Sequence, residues 1–119
     1  MFVRKLKTNI LFLFLILTPL FTFSQKPVID SLQSTIEKLE PHQKAKSYNA
    51  LSKAFWDVDP DSSLFYAQKA LKAAENLNNE AEVTDALNRI GNAYYFLGDL
   101  EKSLNYYQQC LEKRKKLGD

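Results

Sequence analysis

The chain has little of what catalytic and metal chemistry usually requires. It holds one cysteine, Cys110, one histidine, His42, and three glycines in 119 residues. A single thiol makes no internal disulfide, and it reads as a small core residue among apolar helix positions. The histidine, in the segment "EPHQK", gathers neither a Ser-His-Asp arrangement nor a set of metal ligands, and is expected to be a solvated loop residue. The glycines are scattered, so no glycine-rich loop can cradle phosphate. Asp57, Asp59 and Asp61 alternate with Val58 and Pro60. The later glycine and the glutamate of a calcium loop are missing, so a turn and a helix cap are the expected roles. No catalytic residue, cofactor or metal site is assigned, and the chain is not expected to be an enzyme.

Past residue 23 the sequence also lacks any long apolar run. Before it, Arg4, Lys5 and Lys7 lead into an almost wholly apolar stretch over residues 10–23. Small residues, Thr22 and Ser24, precede a cut between Ser24 and Gln25. That is the layout of a cleaved secretory signal, residues 1–24. As a helix, 14 residues at about 1.5 Å each reach only about 21 Å, short of the roughly 30 Å hydrocarbon core. The rival reading is an uncleaved anchor. Export to a periplasmic or external location is the expectation, with the membrane involved only during export.

An excess of positive charge is missing too. The whole chain carries 16 basic and 14 acidic residues, net +2. Loss of the three basic residues in the signal leaves 13 against 14. A nucleic-acid binder needs a basic stripe to neutralise phosphates. Residues 113–116 are the one candidate, and they close a helix, where cations complement the dipole. No nucleic-acid partner is expected.

The remainder shows no strand-like alternation. Apolar residues recur three and four apart instead. Val28, Leu32, Ile36 (with Ile29) and Leu39 mark a first helix, stopped near Glu40 because Pro41 disfavours helix before it. Tyr48, Leu51 and Phe55 mark a second. Asp59 then reads as an N-cap and Pro60 as the first residue of a third, carrying Leu64, Ala67, Leu71 and Ala74. Asn78 and Asn79 break it. Val83, Leu87, Ile90, Tyr94 and Leu97 mark a fourth, ended by Gly98 and Asp99. Leu104, Tyr107 and Leu111 mark a fifth, ended near Gly118. Short connections force neighbouring helices to be antiparallel.

The helices repeat. Ser63, Leu64, Ala70, Leu71 and Leu77 match Ser103, Leu104, Cys110, Leu111 and Leu117 at an offset of 40. Tyr48, Leu51 and Phe55 match Leu87, Ile90 and Tyr94 at an offset of 39. Within the second copy the order is Leu87, Ile90-Gly91, Tyr94, Ser103 and Tyr107, with Cys110 and Leu111 after. Small Gly91, Ala93 and Ser103 beside large Tyr94 and Tyr107 suit two closely approaching helices. These spacings resemble the tetratricopeptide repeat, a helix pair of 34 residues. The resemblance covers roughly residues 28–119 and is looser over 45–77, where Ser52 replaces the glycine and Ala67 the late aromatic. The family's final proline is absent from both copies. The period near 40 is similar to that of exported bacterial arrays, some of which precede sensor kinases or transcriptional regulators.

The resemblance implies an all-α, right-handed α-solenoid of antiparallel helix pairs, about two and a half repeats. A single helix over 25–42 would be the half repeat, 43–80 a looser repeat and 81–119 a full one. It also implies that the first helix of each pair lines a concave face that takes a protein or peptide. By position, the groove residues are Lys46, Asn49, Lys53 and Trp56, then Asp85, Asn88, Arg89, Asn92 and Tyr95. An interaction scaffold is the leading expectation, and the sensory segment of a longer signalling protein the alternative. Stacked repeats bury apolar faces only on their neighbours. With "KKLGD" standing where another pair would begin, the expectation is either a longer protein or self-association through the last pair.

Overall fold

The structure, a computed structural model, describes residues 27 and 29–118. The expected signal, residues 1–24, lies outside the described residues. A short helix, α1, occupies residues 29–37. Thr35 Oγ1 donates to the Ser31 carbonyl along it at 2.8 Å. The remaining helices form a separate compact unit, Lys38–Asp119. They are α2 (Pro41–Phe55), α3 (Pro60–Asn76), α4 (Glu80–Leu97) and α5 (Leu100–Leu117). The described residues are thus all-α, with five helices and no strand.

Side chains that begin one helix and backbone groups that end another share the same turns. Asp59, Asn79 and Asp99 each accept from the N–H three residues on, at 3.2, 3.2 and 3.1 Å. Each satisfies one of the donors that a helix start leaves free. The N–H groups of Asn79 and Asp99 also close the preceding helices, donating to the carbonyls of Ala74 and Tyr94 at 3.0 and 2.9 Å. The residue before each is left-handed: Asn78 at φ 52° and Gly98 at φ 85°. Glycine and asparagine are the residues that reach this region at least cost. Such turns leave no room for anything but a reversal.

Pro41 plays a second part that its position after α1 conceals. It is the first residue of α2, with Glu40 at the N-cap. The helix therefore begins two residues before the expected boundary at 42/43. His42 lies in its first turn rather than in a loop, and is exposed.

Within the second unit, consecutive helices pack, and α2 also touches α4. The α4–α5 contacts run in opposite register. Glu80 meets Lys113 at 2.7 Å, Thr84 meets Cys110, and Gly91 meets Ser103. Small residues let α3 lie between α2 and α4: Ala67, Ala70 and Ala74 are wholly buried. Ala45, Ala74, Val83, Leu87 and Cys110 form the core, with Leu71, Ala73 and Tyr106 packed on it. On α5 only Ser103 and Cys110 are buried.

The expected close approach is present. A Cβ at Gly91 would stand 2.8 Å from the Tyr107 ring. Ser103 Oγ donates to the Gly91 carbonyl at 2.8 Å across the same contact. Tyr94 stacks on Tyr106, with ring centroids 5.7 Å apart.

Candidate peptide-binding face

The candidate residues lie on the first helices of the two pairs, α2 and α4, which run parallel because each is antiparallel to α3. On α4, Asp85, Asn88 and Asn92 stand three and four apart, hence on one face, with Arg89 beside them. All four are half-buried. Arg89 Nη2 pairs with Asp85 Oδ1 at 3.2 Å, one turn apart. That pair fixes the guanidinium along the helix and offsets its charge. Asn92 Oδ1 accepts from the Tyr107 hydroxyl. The bond ties the Asn92 amide oxygen to α5 and leaves its NH₂ group as a donor.

On α2, Lys46 and Lys53 are exposed. Lys46 lines an open depression of about 440 Å³ with Leu39, His42, Gln43 and Ser47. Trp56 caps α2 and is 42% exposed. Its ring meets Phe96 edge-on at 5.1 Å. Phe96 in turn meets Tyr95 at 5.5 Å. The C-terminal ends of α2 and α4 are therefore joined by an exposed aromatic run, the residue type that supplies rigid contact area at interfaces.

Asn49 departs from expectation. It is 2% exposed and does not belong to an open face. Its Nδ2 donates to the Glu82 carboxylate at 3.0 Å and to the Glu82 carbonyl at 3.3 Å. The reason is geometric: the α2 flank that carries Asn49 is the flank against which α4 lies. Its Oδ1, with Arg89 Nε, is a buried polar atom without a hydrogen-bond partner.

Two residues of this seam, Glu82 and Phe96, were not legible as such. Glu82, Arg89 and Phe96 are seven apart, which puts them on one stripe of α4. That stripe is the signal that could have found them. The repeat alignment hid it, because Phe96 corresponds to Asp57 in the first pair.

Cys110 is buried, and its thiol donates weakly to the Thr84 carbonyl at 3.5 Å. Burial pushes the thiol above its ordinary range. The Arg114 guanidinium draws it part of the way back, and Asp85 adds to the rise. It packs as a small apolar side chain, not as a nucleophile. Among the described residues no cluster of metal-ligating side chains occurs, and no helix is long and apolar enough to cross a membrane.

Comparison with known proteins matches the tetratricopeptide repeat family to residues 84–117, most of α4 and all of α5. Tetratricopeptide repeat protein 29 of Trypanosoma brucei brucei (strain 927/4 GUTat10.1) is 25% identical over 67 residues, 56% of this chain. The match covers 14% of that relative, so the chain spans a small part of its length. No solved structure matches the chain.

Proposed function

We propose that this chain, whose residues 84–117 match the tetratricopeptide repeat family, is an exported tetratricopeptide-repeat scaffold whose α2–α4 face binds a peptide segment of another protein. A helical-pair repeat has no chemistry of its own, and its exposed first-helix side chains are what a partner meets. The observation that carries the reading is the exposed Trp56–Phe96–Tyr95 run that joins the C-terminal ends of α2 and α4, with Lys46 and Lys53 exposed on α2 and Arg89 and Asn92 half-buried on α4. Cations and amide donors suit a carboxylate or a backbone carbonyl. The aromatic end suits an apolar anchor. The ligand is an extended or helical peptide with acidic character. Asn49 is excluded from the contact set because Glu82 already occupies it.

Titration of residues 25–119 against a peptide library tests this. Acidic peptides carrying one large apolar residue are expected to bind best. Arg89→Ala and Asn92→Ala are expected to weaken them by roughly fivefold to thirtyfold, the range for a lost charged or buried hydrogen bond. Binding unchanged in both variants removes these residues from the site. Export is supported by the basic start and apolar stretch of residues 1–24. Intact mass of the exported protein tests it: loss of residues 1–24 is expected, and a retained Met1 refutes cleavage.

A further inference from the structure

We infer that the peptide on the α2–α4 face is of mixed charge in a fixed order. Acidic residues lie over Lys46 and Lys53, a large apolar residue on the Trp56–Phe96 pair, and a basic residue next to it at Asp57 and Asp61. This rests on the reading of that face as a peptide site, and adds an anionic end to it.

Helix spacing puts the charges in line. Lys46, Ala50, Lys53 and Asp57 follow spacings of four, three and four, and all are exposed. The backbone stays helical past the end of α2. Trp56 is at φ −52° and ψ −37°, and the N–H groups of Val58 and Asp59 donate to the Phe55 carbonyl at 3.1 and 2.8 Å. Asp57 therefore continues the lysine stripe, and the stripe changes sign there. The flank beside the stripe carries Asn49 and Trp56, which meet Glu82 and Phe96 of α4. The apolar anchor and the change of sign thus fall at the same end of the seam. Val58, 70% exposed, adds an apolar side chain to that end. Residues 54–68 hold three carboxylates, Asp57, Asp59 and Asp61, and no base. Asp59 is engaged as a cap by the N–H and hydroxyl of Ser62. Among the described residues no ion pair holds Lys46, Lys53, Asp57 or Asp61. A wholly acidic peptide sets like charges together at Asp57, whereas a basic residue beside the anchor is attracted there. Lys46 lies about 15 Å along α2 from Trp56, a span that about four or five residues of extended chain cover. The acidic residues therefore stand within about five positions of the anchor on one side, and the basic residue adjoins it on the other.

Titration of the exported chain with designed peptides is the test. One peptide carries glutamates, a short polar spacer, tryptophan and lysines in that order, and is made in both chain directions. Its control has serines in place of the lysines. In one direction the lysines should tighten binding by about threefold to tenfold. Asp57→Asn joined to Asp61→Asn should remove that gain, so that the two peptides bind alike. Lys46→Gln joined to Lys53→Gln should weaken both peptides and keep the gain. Both carboxylates are exposed, so the fold is expected to survive their replacement. Lysines that bring no gain in either direction overturn the order, and so does a gain that persists without Asp57 and Asp61; in both cases binding of the control keeps the acidic-peptide reading. Failure of ordered and control peptides alike to bind overturns that reading, and the order with it.

Discussion

In the first helix pair Ser52 faces Ser63, and the site one turn further along α3 is Ala67. In the second pair Gly91 faces Ser103, and the site one turn along α5 is Tyr107. The hydroxyl of the second-helix serine donates to the opposite carbonyl at 2.8 Å in both. The aromatic contact beside it is also the same: Phe55 and Tyr66 stack at 5.7 Å and 18°, Tyr94 and Tyr106 at 5.7 Å and 19°. What differs is where the bulk sits. The first pair keeps a hydroxymethyl on α2 and a methyl on α3; the second removes the side chain from α4 and puts a ring on α5. The helix approach is preserved because the two changes compensate. An alignment that scores positions singly sees only two mismatches.

The largest loss of stability should come from adding bulk where the ring already is. Gly91→Leu must displace Tyr107, whose ring lies 2.8 Å from the position of a Cβ. Overpacking of this kind costs about 1–3 kcal/mol. Thermal unfolding should show a clear loss, and an unchanged Tm would refute the close approach. Gly91→Ser joined to Tyr107→Ala writes the first pair's solution into the second. The double variant should lose less than the sum of its single variants.

The pairs differ also in what covers them. Leu71 lies against the core, whereas Leu111 does not. Leu71→Ala should cost about 1–2 kcal/mol, below the roughly 2–5 kcal/mol of a fully buried leucine because the side chain is only half-buried. Leu111→Ala, measured at low concentration, should stay within about 0.5 kcal/mol, as exposed substitutions do. Equal losses would mean that the two faces are not distinguished by cover.

The caps should behave alike. Asp59 and Asp99 accept the same N–H, at 3.2 and 3.1 Å. Asp59→Ala and Asp99→Ala are each expected to cost about 1 kcal/mol by denaturant unfolding. Asp59 also accepts from the Ser62 hydroxyl at 2.6 Å, and Asp99 pairs with Lys102 at 3.4 Å, both in exposed settings where little is added.

Caps, turns and the helix-pair repeat were legible because their causes are local: Asp before Pro, Asn-Asn, Gly-Asp, and apolar residues three and four apart. The tight Gly91 contact was legible because small and large residues alternate within one helical face. Asn49 was not, because its burial depends on which flank of α2 receives α4, a matter of how two helices forty residues apart cross. Glu82 and Phe96 escaped for a different reason: their seven-residue stripe with Arg89 is local, but the repeat alignment hides it by setting Asp57 against Phe96. Pro41 misled in a smaller way: a residue that ends one helix can begin the next, and only the position of Glu40 as N-cap decides between these. The assigned binding residues other than Asn49 are half-buried or exposed on α2 and α4, which is where a ligand could reach them.

Cys110 and Ala70 are the mildest difference between the pairs, and pH separates them. Ala70 is wholly buried at the position where α5 has a thiol. Because burial raises the folded thiol's pKa, the unfolded chain loses its proton first as pH rises. Below the ordinary thiol range of about 8.5 both states are neutral and the group is silent. Above it the unfolded state binds fewer protons than the folded one, so stability falls with pH until the folded thiol itself ionises. The slope is at most about 1.4 kcal/mol per pH unit, and the Arg114 charge makes the window narrow. Cys110→Ala should therefore lose less stability than wild type as pH rises above the ordinary thiol range of about 8.5, read from denaturant midpoints at matched ionic strength. Parallel curves would mean that the Cys110 thiol ionises as freely in the folded chain as in the unfolded one, which the contact with Thr84 and the packing around it do not permit.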